Sequence, residues 1–461
     1  MSSTIALVAL ALSIPAMVGV FFFLRPMSAA LVVALGAEMF LPEVVAFKLP
    51  FVPPLGKHNL PYLCIFIACL LRCPARVTKL PKQHWMSILA LALLVGGVVT
   101  SSTNTDPVIF GASGQVFIPG LTLKDGLYMG IAMFLASFLP LYLGYALCRH
   151  AEDFDRLIAG LAIAGLVYIP FAMVELRLSP QWHNWIYGYG QHEFQQTIRW
   201  GGYRPMVFMT HGLILARFFL AATLCLVLLA RRRRVLLGLP VRLLAWTQFL
   251  VLVACKSSGA ILFAVAGLPL LIWAKPKRQL LVAALLAYII GLYPALRLSG
   301  LVPVTQILDA VGSVQADRAD SLRFRFRNED ELLAHTRERM LFGWGEYDRN
   351  AVHDEEGNKR SVFDGYWIIR LSINGIVGFI TAFAPLLIPV LWAGRRLPTI
   401  RDEKDQWLVA GVALMLALLT LDMIPNGLLA YYPYFIAGAL TRRLQRLRDE
   451  TGDGQAVPQS A

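Results

Sequence analysis

The stretch Met206-Val-Phe-Met-Thr-His-Gly-Leu-Ile-Leu-Ala-Arg-Phe-Phe-Leu-Ala-Ala-Thr-Leu-Cys-Leu-Val-Leu-Leu-Ala230, followed at once by Arg231-Arg-Arg-Arg234, decides the fold. It holds no acidic residue, and His211 and Arg217 are its only basic ones. About 20 apolar residues cross a hydrocarbon core near 30 Å thick, so this run is long enough to span. The four arginines then mark a cytoplasmic edge, because Lys and Arg collect in cytoplasmic loops.

Working outward, apolar runs recur near 4–24, 27–47, 60–71, 85–100, 122–147, 157–175, 206–230, 240–255, 258–274, 279–297, 364–392, 406–424 and 427–440. The run 27–47 carries Glu38, Pro42 and Glu43, and 60–71 is short for a full span. The expectation is therefore an all-α, polytopic integral membrane protein of twelve or thirteen transmembrane helices. Its first run, about Ile5 to Leu24, lacks a basic n-region and an A-x-A site and is followed by Arg25, which predicts a retained helix. Composition agrees, with 57% hydrophobic and 15% charged residues and a mean hydropathy of +0.60, against about 25% charged in soluble domains.

The net charge of +13 invites a nucleic-acid reading, which its distribution excludes. Basic residues fill alternate short loops: Arg72, Arg76, Lys79 and Lys82; Arg231 to Arg234; Lys275, Lys277 and Arg278; Arg395, Arg396, Arg401 and Lys404. Arg442, Arg443, Arg446 and Arg448 add to them near the C-terminus. This pattern sets a membrane domain over 1–448, with outer loops 176–205 and 298–363, and a cytoplasmic tail, 449–461, expected to be disordered. The lipid bilayer is the first partner implied. No repeat period of the kind found in inverted-repeat transporters emerges. The six cysteines lie in or beside apolar runs without disulfide or metal-ligand spacing, so no metal and no other cofactor is expected.

Loop 298–363 is rich in arginine on the side where the charge rule predicts little. Its segment Ser321 to Gly345 reads as a helix up to Met340 closed by Phe342-Gly-Trp-Gly345. Arg323 and Arg327 share a helix face at i, i+4 and Arg325 projects elsewhere. Guanidinium forks match phosphate oxygens bidentately, so the three suit a pyrophosphate. They could equally pair with Glu329, Asp330 and Glu331 on a solvated helix. Further on come His353 and Ser361-Val-Phe-Asp-Gly-Tyr-Trp-Ile-Ile-Arg370, which set Asp364 at the outer mouth of an apolar helix and Arg370 less than two turns inside. Asp364 is either a functional charge at the membrane or the N-cap of that helix.

The other outer loop carries Trp182, His183, Trp185, Gln191, His192, Gln195, Gln196, Arg199, Trp200 and Arg204. Aromatic faces and amides suit sugar rings, although Trp also gathers at any membrane interface. His211 reads as a buried, hydrogen-bonded residue, since no second His or Cys stands at metal spacing. Lys256-Ser-Ser-Gly259 is a polar break between two apolar helices, either a plain hairpin turn or part of a phosphate site.

In their order, the Lys-Ser-Ser-Gly break, the Arg-rich helix with its Phe-Gly-Trp-Gly turn, Phe363-Asp-Gly-Tyr-Trp367 and Asn374-Gly-Ile-Val-Gly378 resemble the O-antigen ligase and polysaccharide polymerase superfamily. The resemblance covers about Gly201 to Phe379; earlier helices match in kind only. It implies a GT-C-like fold in the bacterial cytoplasmic (inner) membrane, with an active site on the periplasmic face. The activity implied is inverting glycosyl transfer from a polyprenyl (undecaprenyl) pyrophosphate-linked oligosaccharide to a sugar hydroxyl of a growing glycan acceptor, without metal. Other polysaccharide-assembly proteins are further partners it implies. By the same resemblance Arg204 and Arg325 contact the pyrophosphate; the residues themselves add Arg323 and Arg327 beside Arg325, and Lys256, Arg370, His353 and Arg199, as candidate substrate contacts. Asp364-Gly365 stands where the ligases carry a His-Asn pair, which makes Asp364 the general base, kept ionised by Arg370, with His353 as a substitute. This departure favours polymerisation of repeat units of an exopolysaccharide or O-antigen over ligation to a lipid A core. A glycolipid transporter or flippase, and an envelope scaffold, are readings of other classes. The first fits less well, because the charges lie in outer loops and not along a midplane path.

Overall fold

A computed structural model of the chain describes residues 4–79, 81–111, 116–313 and 316–450. Of the expected tail, Asp449 and Glu450 end the last helix and 451–461 lie outside the described residues.

The chain is helical, as expected of a polytopic membrane protein. In order the longer helices are α1 (Thr4–Phe23), α2 (Pro26–Phe40), α3 (Leu60–Arg72), α4 (His84–Ser102), α5 (Leu123–Leu147), α6 (Ala151–Leu178), α7 (Gly212–Ala230), α8 (Val241–Ala254) and α9 (Ser258–Trp273). They continue with α10 (Pro276–Leu298), α11 (Val304–Gly312), α12 (Ala316–Thr336), α13 (Tyr366–Arg396), α14 (Glu403–Leu421) and α15 (Tyr432–Glu450). Among the described residues, eight helices are long and apolar enough to cross a membrane: α1, α4, α5, α6, α7, α10, α13 and α14. Four expected runs form shorter apolar helices, α2, α3, α8 and α9, of 13 to 16 residues. The expected run 427–440 is broken, since 427–431 is not helical and α15 starts only at Tyr432. Among the described residues, sheet is confined to four two-stranded hairpins.

Helix α7 lies at the centre, packed by α6, α8, α9 and α14, whereas α1 buries only Ala6, Leu10, Met17 and Phe21 and leaves the rest of its apolar surface outward. Without water to drive helices together, close backbone approach matters, and small residues allow it. Gly144 of α5 faces the Phe435 carbonyl of α15, and Gly438 of α15 faces the Leu141 carbonyl, leaving room for no side chain at either.

The bundle has two unlike ends. Arg232 bridges Asp155 and Asp405, Arg443 pairs with Asp405, and Arg149 donates to the Ala75 carbonyl, so the basic loops around residues 75, 150, 232, 405 and 443 meet at one end. Helices α7 and α14 run from there to the opposite end, where the two long loops and the Lys256–Gly259 break gather. The alternation of basic loops read from the sequence is thus realised in space.

One break inside α13 shapes that second end. Gly375 has φ 65° and ψ −159°, which frees backbone groups inside an apolar helix. Such groups must find partners within the protein. The Phe-Gly-Trp-Gly turn supplies them: Trp344 and Gly345 N–H donate to the Ser372 and Ile373 carbonyls at 2.9 Å, and Ile376 N–H donates to the Met340 carbonyl at 2.8 Å. Helix α4 holds the turn from behind, with Thr100 Oγ1 donating to the Phe342 carbonyl and Asn104 Nδ2 to that of Gly343.

Candidate functional site

At this end, a cavity of about 860 Å³ lies between the two long loops, the start of α9 and the segment after α14. Its polar lining includes Arg199, Arg204, Arg325, Asp364, His192 and Asp422, and its apolar lining includes Leu262, Phe263 and Leu322.

Each cation is placed by a different element. Arg204 follows the hairpin 198–203, its N–H held by the Thr197 carbonyl at 2.7 Å. Its side chain is buried, and Nη2 donates to the Lys256 carbonyl at 3.1 Å, tying the loop to the break between α8 and α9. Arg199 lines the cavity from the same hairpin. Arg325 projects from α12, donates to the Pro425 carbonyl at 3.0 Å, and sets Nε 3.9 Å from Asp364 Oδ2.

Asp364 does not cap α13. The N-cap is Gly365, and the Tyr366 N–H donates to the Met423 and Asn426 carbonyls, so the carboxylate is left facing the cavity. Burial raises its pKa above the ordinary carboxylate range, and the Arg325 guanidinium works against that rise. His211 caps α7, with Nδ1 accepting from the Leu213 N–H at 3.0 Å. Burial, and then the positive field of His192, Arg204 and Arg199, lower its pKa to about 3, so it is neutral. With Nδ1 accepting, its proton sits on Nε2, which makes it a donor and not a base.

The remaining expected residues lie elsewhere. Arg323 is exposed and pairs with Asp320 at 2.5 Å, and Arg327 is exposed over the Phe324 ring. Neither lines the cavity, and neither pairs with the acids downstream: Glu329 and Asp330 bind Arg297, and Glu331 binds Arg360. Lys256 sets its ammonium beside Gly202 and does not line the cavity, while its backbone carbonyl accepts from Arg204. Arg370 is buried against Met133 and the Tyr366 ring and is absent from the charges acting on Asp364, contrary to the expected pairing. His353 stacks on Phe110 at 4.0 Å, outside the cavity.

Arginine excess in the long loop also has a structural share. Arg349 is fully buried and donates to the carbonyls of Trp344, Pro119 and Asp106. Sequence reasoning missed Asp422 and Asn426. Asp422 is buried, paired with Arg217 at 3.3 Å and bonded by Asn426 at 2.9 Å. The available signal was a lone acid near the end of one apolar run and a lone arginine inside another. Among the described residues no group of three or more His, Cys, Asp and Glu could hold a metal. No protein-family model matches the chain, and no curated protein matches it.

Proposed function

We propose that the protein transfers a glycan from a polyprenyl pyrophosphate to a sugar hydroxyl in this cavity, on the outer face of a bacterial cytoplasmic membrane. The observation that carries the reading is the convergence of Arg199, Arg204 and Arg325 on one cavity with Asp364 beside Arg325. Asp422 is already paired with Arg217, and the guanidinium forks on the lining are of the kind that suits a diphosphate. The basic loops at the opposite end support placing the cavity on the outer side.

In this mechanism the acceptor hydroxyl attacks the anomeric carbon as the bond to the pyrophosphate oxygen breaks. Asp364 takes the hydroxyl proton, and the arginines hold the charge that develops on the departing pyrophosphate. Fixed donors of this kind are each worth about 10²- to 10³-fold in rate. General base catalysis adds about 10²- to 10⁴-fold. Leu262, Phe263 and Leu322 offer apolar surface where the polyprenyl chain would leave the diphosphate. A carboxylate in the base position favours extension of repeat units over ligation to a lipid A core. The test is transfer in vitro from a synthetic polyprenyl pyrophosphate-linked repeat by purified protein. Asp364→Asn should slow it by about 10²-fold or more; an unchanged rate would remove Asp364 from the base role.

A further inference from the structure

A second concavity, of about 890 Å³, lies at the basic end and takes no part in the site above. Helices α8 and α9 each pack on α7 but barely on each other. Their other contacts draw them apart. Gln248 of α8 packs against Gly165 of α6, while Gly267 of α9 fits against Leu418 of α14. The groove left between them is apolar, walled by Val227, Ala245, Phe249, Ala264 and Leu268.

Its mouth is different in kind. Trp246 and Trp273 stand there, both largely exposed, as aromatic residues do at the level of lipid headgroups. Arg231 is occupied: it donates to the Leu271 and Ile272 carbonyls, closing the end of α9, and stacks on Trp407. Arg233, Arg234 and Arg242, by contrast, form no ion pair among the described residues and line an adjoining hollow of about 550 Å³. Between them the hairpin Val235–Leu236/Leu239–Pro240 turns through Leu237 and Gly238 and exposes Val235, Leu237 and Leu239. An exposed apolar tip flanked by unpaired arginines is a combination for the membrane interface, not for water.

We infer that this groove is a binding site for an anionic glycerophospholipid, its acyl chain between α8 and α9 and its phosphate against Arg233, Arg234 and Arg242. Charge complementarity selects the occupant, since an anionic lipid brings net negative charge to the three guanidinium groups, whereas a zwitterionic lipid brings its phosphate together with a cation and adds none. The site lies at the opposite end from the proposed transfer cavity and does not depend on that proposal.

The full-length chain in neutral detergent, with phosphatidylglycerol, phosphatidylcholine or polyprenyl phosphate added separately, provides the test by native mass spectrometry. Phosphatidylglycerol should be retained preferentially. Each arginine near a lipid surface is worth about fivefold in affinity, so Arg233→Gln, Arg234→Gln and Arg242→Gln together should cost on the order of 100-fold. Val265→Trp, at an exposed groove position, should abolish retention without touching a charge. Unchanged melting of both variants without lipid establishes that they fold. Equal retention of phosphatidylcholine, retention of polyprenyl phosphate alone, or occlusion of the groove by a second copy of the chain would each overturn the inference.

Discussion

Arg323, Arg325 and Arg327 stand within five residues, yet only Arg325 reaches the cavity. Charge pattern alone left all three open, since alternate residues of a helix point in different directions and only tertiary packing says which face is covered. Arg325→Gln should slow transfer by about 10²-fold. Arg323→Gln and Arg327→Gln should stay within about twofold, as expected of exposed pairs. Comparing the three rates checks the assignment. Asp364 adds a pH signature. Its raised pKa means that the ionised base is lost at higher pH than for an ordinary aspartate, so the rate falls as pH falls through that value. Arg325 opposes the rise, so its removal should move the acidic limb of the profile to still higher pH. The misreading of Arg370 has a simple cause. Asp364 precedes the N-cap Gly365 and lies outside the helix that carries Arg370, so helical spacing does not bring the two together.

Helix α12 holds Arg325 in place through acids one turn further on. Glu329 binds Arg297 of α10 at 3.1 Å and accepts from Trp367 Nε1 of α13 at 3.3 Å, and Asp330 meets the same Arg297 at 2.7 Å. Removing one partner of a buried ion pair leaves an uncompensated charge costing about 3–5 kcal/mol. Arg297→Met should therefore lower the melting temperature clearly, and lower transfer through a misplaced Arg325. Gly375 carries the other element-level requirement. At its positive φ a Cβ would meet the Leu341 carbonyl carbon at 2.3 Å, so Gly375→Ala should undock the Phe-Gly-Trp-Gly turn. The yield of monodisperse protein in size-exclusion chromatography reads that loss. The sequence showed the glycine turn and the Asn374-Gly pair separately. Nothing in either showed that one repairs the backbone break made by the other.

Across the whole molecule, hydropathy located the helices and alternating charge located their ends, because both follow from the cost of burying polar groups in lipid. Hydropathy does not reveal where an apolar run stops being helical, as at 426–431, or which runs form helices shorter than 18 residues. The basic end should face the cytoplasm. Glu356→Cys in the long loop should label with a membrane-impermeant thiol reagent in intact cells, and Arg233→Cys should not; five of the six native cysteines are buried. The claim that governs all of these is transfer from a lipid-linked glycan. Its most direct test is to delete the gene and analyse extracted polyprenyl-linked glycans by mass spectrometry, with Asp364→Ala and Arg325→Ala complementation alongside. Single repeat units should accumulate, and neither variant should clear them. Long lipid-linked chains would shift the assignment to a ligase, and an unchanged lipid-linked pool would contradict the account.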